Sequence, residues 1–251
     1  MRRKQMQVTL LMITFLIFLA PFSAFSSSCT TATLQDYISL GVRGCSIDDK
    51  QFSNFGYAAT STGGGSLLPA SGISVTPQNT FLNPTLSFDG LFVALANERV
   101  DGVISFQVNA NSLDFPIVGL TLVQGGTVVS GTGIASIGET ACIGNLFSNA
   151  CSGSFVASLQ TFGLGTGIPP AQLVDHVDFS PTLTVDVIKD IGVFGGRNGF
   201  ALLSHVENQF SSMPPSSPSE VPEPVTLLSF GTGLLAVILL AFRNNARKEH
   251  N

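Results

Sequence analysis

The residues best suited to chemistry in this sequence are two histidines and a few neighbouring acids. His176 lies in the densest polar cluster, Asp175-His176-Val177-Asp178, and His205 follows further along the chain. On a strand, Asp175 and Val177 would face opposite to His176 and Asp178. A serine hydrolase needs a histidine beside an acid, but no Gly-x-Ser-x-Gly nucleophile motif accompanies this cluster. The pattern favours a solvated strand end over a catalytic centre.

Metal binding and sugar binding are the other chemistries that the residue types suggest. The pairs Asp48-Asp49 and Asp175/Asp178 offer oxygen ligands for Ca²⁺, yet neither has the spaced acidic pattern of a calcium loop. The chain has no tryptophan and only two tyrosines, so stacking platforms for a carbohydrate are scarce. A paired-carboxylate glycosidase stays open, because the sequence does not set the distance between two acids. We predict no catalytic residue, no metal site and no cofactor.

The C-terminal segment has three parts in a fixed order. The proline-rich stretch Val221-Pro222-Glu223-Pro224 precedes an apolar run, Val225 to Phe242, and a basic tail at 243–251. As a helix, the run would reach roughly 26 Å, slightly less than the ~30 Å hydrocarbon core of a bilayer. We predict that it is a transmembrane helix, and the positive residues after it predict a cytoplasmic tail.

This arrangement resembles the PEP-CTERM sorting signal of Gram-negative bacterial proteins, many of which are uncharacterised exported proteins. The residues that carry the resemblance are Val221, Pro222, Glu223, Pro224, Gly231, Gly233, Arg243, Arg247 and Lys248. In that family an exosortase, a membrane-embedded enzyme similar to cysteine transpeptidases, recognises the signal and is thought to cleave near the Pro-Glu-Pro. The resemblance therefore implies an inner-membrane-anchored precursor that is then delivered to the cell surface or the extracellular matrix.

The segment departs from the family pattern in two places. Val225 stands where the family commonly has a small or hydroxylated residue, and Asn244 to Ala246 dilute the basic cluster. An ordinary C-terminal membrane anchor with a chance Pro-Glu-Pro is the alternative interpretation. Neither interpretation says what activity the rest of the chain has.

Residues 1–26 are predicted to be a secretory signal peptide. A positively charged start, Arg2 to Lys4, precedes a short apolar region, Val8 to Ala20. Small residues place the signal peptidase cleavage after Ser26 or, alternatively, after Ala24. An uncleaved anchor and a lipoprotein acylated on Cys29 are the other interpretations, and each of them still exports the chain.

Export makes the four cysteines informative, because exported chains form disulfides. Proximity in the sequence favours Cys29 with Cys45 and Cys142 with Cys151, although four cysteines allow three pairings. Reduced or crossed cysteines are the alternative. A zinc site is disfavoured, because neither pair has Cys-x-x-Cys spacing.

The central part of the chain is strongly acidic. Residues 27–221 carry fourteen acidic and five basic side chains, a net charge of −9, whereas the whole chain has −5. Nucleic acid is disfavoured as a partner, because its phosphates require clustered basic residues. The charge also disfavours adhesion to an anionic polymer unless divalent cations form a bridge.

Residues 27–210 are predicted to form one exported, mainly β domain. A short helix at Thr33 to Leu40 is followed by about ten short apolar or alternating strands with Gly-rich and Pro-rich turns. Gly125-Gly126 and Gly195 to Gly199 are predicted to be the turns of hairpins. The pattern is typical of an antiparallel β-sandwich, jelly-roll-like, and the Ser/Pro-rich segment 211–224 of an extended linker.

Three functions follow from this organisation. The favoured one is a non-enzymatic surface or matrix protein, associated with the envelope or exopolysaccharide. Its predicted partners are signal peptidase, the secretion machinery, an exosortase-type enzyme and the membrane. The alternative is a Ca²⁺-binding or glycan-binding adhesion module. A secreted hydrolase is the second alternative, and it requires His176 or His205 beside an acid in a pocket.

Overall fold

A computed structural model describes residues 27–80, 82–143, 154–165 and 171–213. The helix and the strands in these ranges are β1(Ser27–Ser28), β2(Ala32–Thr33), α1(Leu34–Leu40), β3(Cys45–Ile47), β4(Lys50–Thr62), β5(Ser74–Gln78), β6(Thr85–Ala94), β7(Arg99–Ala110), β8(Ile117–Gly125), β9(Val128–Ser130), β10(Ile134–Ile143), β11(Ser154–Leu164), β12(Val174–Thr182), β13(Thr184–Phe194) and β14(Phe200–Ser212). Among the residues described, no helix has both the length and the apolar character that a membrane span needs. The predicted signal peptide and the predicted transmembrane helix lie outside these ranges.

The strands form two sheets. Sheet A has the order β1-β3-β4-β7-β13-β10-β11, and sheet B has the order β12-β8-β14-β6-β5-β2, with β9 paired to β14. The two-residue strand β1 runs parallel to β3, and the pairings along the long strands are antiparallel. The predicted antiparallel β-sandwich is confirmed.

Eight of the strands follow a jelly-roll path. They lie in the order β6-β14-β8-β12 in sheet B and β7-β13-β10-β11 in sheet A. Along the chain, each of the eight crosses to the opposite sheet from its predecessor, except that β10 and β11 form a hairpin within sheet A. This nesting of the last strands between the first ones is the double Greek key of a jelly roll.

The core lies between the inner faces of the two sheets. Along β7, Ile104, Phe106 and Val108 are fully buried and alternate with half-buried residues, as a period of two requires. Phe106 also anchors an aromatic cluster, with its ring centroid 5.4 Å from that of Phe55 and 6.0 Å from that of Phe210. Removal of such apolar surface from water is the main force that holds the sheets together.

The predicted N-terminal helix is confirmed, and it begins at Leu34 with Thr33 as its N-cap. The Thr33 hydroxyl accepts a hydrogen bond from the Asp36 N–H at 3.2 Å, and the Asp36 carboxylate accepts one from the Thr33 N–H at 3.1 Å. Two hydrogen bonds from Thr33 lower the pKa of Asp36. The bond from the Thr33 hydroxyl has the larger effect, and the bond from its N–H has the smaller one.

A disulfide joins Cys29 to Cys45, as predicted, and ties the chain before α1 to β3. Its two Cα atoms are 4.9 Å apart. A sulfur atom in a disulfide cannot carry a lipid, so the lipoprotein interpretation of Cys29 is wrong.

The glycine pair Gly125-Gly126 does not turn a hairpin, contrary to the prediction. Both β8 and β9 run antiparallel to β14, and β8 pairs with residues 205–212 while β9 pairs with residues 200–202. The chain therefore keeps its direction past Gly126, whose φ is +59°. Glycine adopts a positive φ in a kink as readily as in a hairpin turn, so the pair alone did not distinguish the two.

The glycine-rich segment Gly195 to Gly199 is a turn, but it does not complete a hairpin. It connects β13 in sheet A to β14 in sheet B. The turn packs against the connection between β6 and β7, where the Asn97 N–H donates to the Gly196 carbonyl at 2.6 Å and the Gly195 N–H donates to the Glu98 carbonyl at 3.0 Å. Turn residues indicate where a chain reverses, and they do not indicate which sheet the next strand joins.

The last strand is longer than its sequence pattern suggests. β14 continues to Ser212, which is buried, so packed structure extends two residues past the predicted domain end at Phe210. The Ser212 N–H donates to the Leu82 carbonyl at 2.8 Å.

Candidate functional site

The outer face of sheet A carries a depression of about 530 Å³, a volume in the range of small-ligand pockets. The residues that line it are Ala58, Thr60, Asp101, Val103, Gly138, Glu139, Thr140, Ser158, Ile188 and Asp190. They come from five adjacent strands of the sheet, in the spatial order β4, β7, β13, β10 and β11. The sheet itself therefore forms the floor.

Strand register brings the lining residues into rows across the sheet. In the central row, Ala58 is opposite Val103, Val103 is opposite Asp190, and Asp190 is opposite Gly138. Gly138 leaves the middle of the row open, because a Cβ added there would meet no atom within 4 Å. The adjacent row places Thr140 opposite Ser158. Small and hydroxyl-bearing side chains thus shape the depression.

Two carboxylates, Asp101 and Asp190, set its electrostatics. The Nε of Arg99 donates to both oxygens of Asp101, at 2.9 and 2.7 Å. Asp101 is opposite Gly192 on β13, so Asp190 is its diagonal neighbour on the same face. The pKa of Asp190 is raised mainly by partial burial and secondly by the charge of Asp101. The charge of Arg99 opposes this shift.

A buried polar network lies beneath the floor; we call Glu139, Lys189 and Asn208 the core network. Glu139 and Lys189 point inward from β10 and β13, and Asn208 points inward from β14 in the opposite sheet. Lys189 Nζ donates to Glu139 Oε2 at 2.5 Å, and Asn208 Nδ2 donates to the two Glu139 oxygens at 2.8 and 2.7 Å. Burial lowers the pKa of Lys189, and its interaction with Glu139 opposes that shift. The network ties the strands of the floor to sheet B.

A row of amides continues the hydrogen-bonding surface beyond the depression on sheet A. Gln107 Nε2 donates to Asp186 Oδ1 at 2.8 Å, and Gln107 Oε1 accepts from Asn54 at 3.3 Å and from Asn109 at 3.2 Å. The side chain of Thr184 donates in turn to Asn109 at 2.8 Å. Most of the hydrogen-bonding groups of these side chains are therefore already paired with one another.

His176 lies on the same face of its strand as Asp178, as the alternation of side chains along a strand predicts. His176 and Asp178 share the outer face of β12, with the His176 Nε2 3.0 Å from an Asp178 oxygen. The other ring nitrogen lies 2.8 Å from the Thr121 hydroxyl. Both groups are exposed, in keeping with the predicted solvated strand end.

The second histidine is surrounded by acids. The Nδ1 of His205 lies 2.7 Å from an Asp89 oxygen, and its Nε2 lies 3.7 Å from a Glu207 oxygen. In the described part of the chain, neither His176 nor His205 contacts a serine hydroxyl as a hydrolase histidine would.

Two of the acids considered for calcium, Asp49 and Asp175, have structural partners. Asp49 pairs with the buried Lys50 at 2.6 Å. Asp175 accepts from the Gln160 N–H of β11 at 2.8 Å and from the His176 N–H at 3.0 Å, so it links the edge strands of the two sheets. Over residues 27–213, outside the gaps given above, no group of three His, Cys, Asp or Glu side chains is placed to hold a metal ion.

The two tyrosines serve packing rather than stacking. The Tyr37 hydroxyl donates to the Thr30 carbonyl at 2.9 Å, and the Tyr57 hydroxyl donates to the Leu68 carbonyl at 2.8 Å. Burial raises the pKa of each tyrosine to about 12. Neither ring is offered to a ligand in the depression.

Other predicted site residues fall outside the described ranges. Cys142 is disulfide-bonded, but its predicted partner, Cys151, lies outside, so this pairing stays a prediction. The sorting-signal residues between Val221 and Lys248 also lie outside.

The sequence alone did not single out Asp101 and Asp190. Each is an acid at an outward position of an alternating strand, flanked by apolar inward residues, and that pattern was a detectable signal. What makes the two acids neighbours is the register between β7 and β13, which joins distant parts of the chain.

Comparisons with known proteins found no matching family model and no matching curated protein. Among solved structures, the chain is similar to the enzymatically active domain of bacteriophage CBA120 tailspike protein 4. The two are 12% identical, and the match covers 62% of this chain and 19% of that chain, with a TM-score of 0.25. It thus spans about a fifth of that tailspike chain.

Two carbohydrate-binding modules are also similar. TmCBM61, in complex with beta-1,4-galactotriose, has 9% identity, with 61% of this chain and 86% of that chain covered, and a TM-score of 0.25. The family 32 module of C. perfringens NanJ, in complex with galactose, has 19% identity, with 62% and 93% covered, and a TM-score of 0.25. These similarities do not assign the chain to a family.

Proposed function

We propose that this chain is an exported, non-enzymatic protein whose jelly roll binds carbohydrate in the depression on the outer face of sheet A. The observation that carries the proposal is the depression itself, which has about 530 Å³ of space lined by hydroxyls and carboxylates. Thr60, Thr140 and Ser158 supply hydroxyls that both donate and accept hydrogen bonds, as the hydroxyls of a sugar do.

The apolar and rigid parts of the depression support the same function. Ala58, Val103 and Ile188 offer apolar surface to the C–H groups of a sugar ring. The lining residues lie on strands rather than loops, and the core network holds the central strands from behind. A preorganised site loses less conformational entropy on binding.

The predicted sorting route would bring the carbohydrate site to the outside of the cell, where polysaccharide is present. We propose that the signal peptide exports the chain, that the C-terminal helix anchors a precursor in the inner membrane, and that an exosortase cleaves near Pro222 to Pro224. The released domain would then reach the cell surface or extracellular matrix and attach to exopolysaccharide. Its partners on this route are signal peptidase, the secretion machinery and the exosortase.

Filling the depression tests the proposed site. In Gly138→Leu, the new side chain occupies the depression, and its Cβ meets no protein atom within 4 Å. We expect at least a tenfold loss of polysaccharide binding in affinity electrophoresis over a panel of neutral, anionic and amine-bearing polymers, with thermal unfolding unchanged.

The matched control is Thr76→Leu, which adds the same side chain to an outward position of β5 in sheet B. This variant should bind like the wild type. Equal losses in both variants would contradict the site, and a wild-type protein that binds no polymer of the panel would contradict the function.

Glycoside hydrolysis is a second candidate, favoured by the carboxylate pair. Asp101 and Asp190 are diagonal neighbours, and the raised pKa of Asp190 suits a general acid beside an ionised partner. Release of reducing ends from a bound polysaccharide, lost in Asp190→Asn while binding persists, would establish hydrolysis. Absence of product from every polymer that the protein binds would refute it.

A further inference from the structure

The depression contains one carboxylate whose charge is not balanced. Asp101 is neutralised by Arg99, which donates to both of its oxygens. Asp190 is only partly buried and remains accessible to solvent, and no side chain of the described ranges forms a hydrogen bond or an ion pair with its carboxylate. The only other acid of the lining, Glu139, points into the core and pairs there with Lys189. The site therefore has a net negative charge centred on Asp190.

No basic side chain of the described chain forms an ion pair with Asp190, and only the charge of Arg99 acts on it from a distance. The five basic side chains of the described chain comprise two fully buried lysines, the arginine that pairs with Asp101, and two other arginines, one at the end of a short 3₁₀ helix and one in a turn. The last two, Arg43 and Arg197, are not among the residues that line the depression. A ligand is thus the remaining source of a cation in direct contact with Asp190.

The surroundings of Asp190 disfavour its ionised form. Partial burial and the charge of Asp101 raise its pKa, and Arg99 offsets part of the effect. A cationic group bound beside Asp190 would relieve this cost, because an opposite charge at short range favours the ionised carboxylate. Residues 27–221 carry a net charge of −9, so the domain as a whole also attracts cationic ligands from a distance.

We propose that the depression selects glycans with free amino groups, such as polymers of glucosamine, and that it binds a sugar ammonium beside Asp190. This inference rests on the proposed carbohydrate-binding function. Hydroxyls of Thr60, Thr140 and Ser158 would orient the ring, while Asp190 distinguishes an amine from an acetamide. A glycan rich in uronic acid would be repelled.

The test compares two ligands that differ only in the acetylation of their amino groups. Isothermal titration calorimetry of the exported domain with glucosamine oligomers, and with N-acetylglucosamine oligomers of the same length, isolates the contribution of the amine. We expect the amine-bearing oligomer to bind at least tenfold more tightly. The preference should weaken as salt is added, since the attraction is electrostatic.

The pH dependence of the preference follows from the same carboxylate. A protonated Asp190 has no charge to attract an ammonium, so the preference is lost as the pH falls through the pKa of Asp190. That pKa is raised, so the loss occurs above the ordinary aspartate value of 3.8. The charges that surround Asp190 are Asp101 and Arg99 on β7 and the inward-facing Lys189 and Glu139.

Two isosteric variants separate the site from general attraction by an acidic protein. Asp190→Asn should abolish the tenfold preference. Asp48→Asn removes the same charge from the exposed turn between β3 and β4, and it should change the affinity by less than twofold. Equal effects of the two variants would overturn the proposal.

The outcomes also separate this inference from the function on which it rests. Equal binding of both oligomers, abolished by Gly138→Leu, would refute amine selectivity and leave carbohydrate binding intact. If neither oligomer and no polymer of the panel binds, the carbohydrate function itself is wrong, and the inference falls with it.

Discussion

Glu139, Lys189 and Asn208 place a charged pair and an amide in the core between the sheets, each at most 1% exposed. Removal of ions from water costs several kcal/mol per ion, so such a pair is weak as a source of net stability. The hydrogen bonds from Lys189 and Asn208 to Glu139 form only when β10 and β13 of sheet A face β14 of sheet B. We therefore interpret the core network as a device that selects the alignment of the sheets beneath the depression.

The first prediction concerns the core network. Lys189→Met leaves the Glu139 charge buried without its cation, and we expect a loss of about 3–5 kcal/mol in the free energy of unfolding. The triple variant Glu139→Leu, Lys189→Met, Asn208→Leu removes every polar group of the network, so it should recover most of that loss. Urea unfolding curves measure both, and a single variant that costs less than 1 kcal/mol would contradict the argument.

At the scale of elements, the continuity of β8 and β9 along β14 depends on one glycine. Gly126 has a φ of +59°, and a Cβ there would lie 1.9 Å from the Ser204 hydroxyl oxygen. Ser204 occupies the register shift of β14 between Leu203 and His205. The kink at Gly126 therefore meets β14 at the residue that faces the bulge of β6.

The second prediction follows from this fit. Gly126→Ala should destabilise the domain by about 1–3 kcal/mol, because it combines a clash with a strained backbone. Adding Ser204→Gly removes the clash and leaves the strain, so it should restore only part of the stability. Gly138→Ala, whose Cβ meets no atom within 4 Å, is the matched control and should be nearly neutral in thermal unfolding. Equal stability of the Gly126 and Gly138 variants would show that the kink is unimportant.

At the scale of the whole molecule, an acidic jelly roll is joined to a C-terminal segment that is predicted to sort it. The described fold ends at Met213, and eight residues separate it from Pro222. The Ser/Pro-rich composition predicts an extended linker, and at about 3.1 Å per residue an extended chain of this length reaches roughly 25 Å. That distance would leave the motif accessible to a membrane-embedded enzyme.

The third prediction tests the sorting signal in the native host. Replacement of Pro222, Glu223 and Pro224 by alanine should leave a precursor that keeps its C-terminal segment at the inner membrane, because the exosortase would no longer recognise it. Intact mass measurement of the membrane and surface fractions checks this outcome. The control replaces Pro214 and Pro215, two prolines of the same segment outside the motif, and should be processed normally. Normal surface delivery of the motif variant would refute the sorting proposal.

Local patterns by themselves determined much of the fold. Alternation along β7 and β13 identified strands, the Thr33 to Leu40 pattern identified the helix, and proximity identified the Cys29–Cys45 pair. Each of these features depends on residues close in sequence, whose periodicity and capping are visible without tertiary contacts.

The tertiary structure decided the features that depend on partners far apart in the chain. It placed β13 and β14 in different sheets, turned an expected hairpin at Gly125-Gly126 into a kink, and brought Asp101 and Asp190 to one depression. The amino-acid sequence specifies which face of a strand is apolar, whereas strand order and register depend on the packing of two whole sheets. The candidate site is a product of register, and for that reason only the folded chain reveals it.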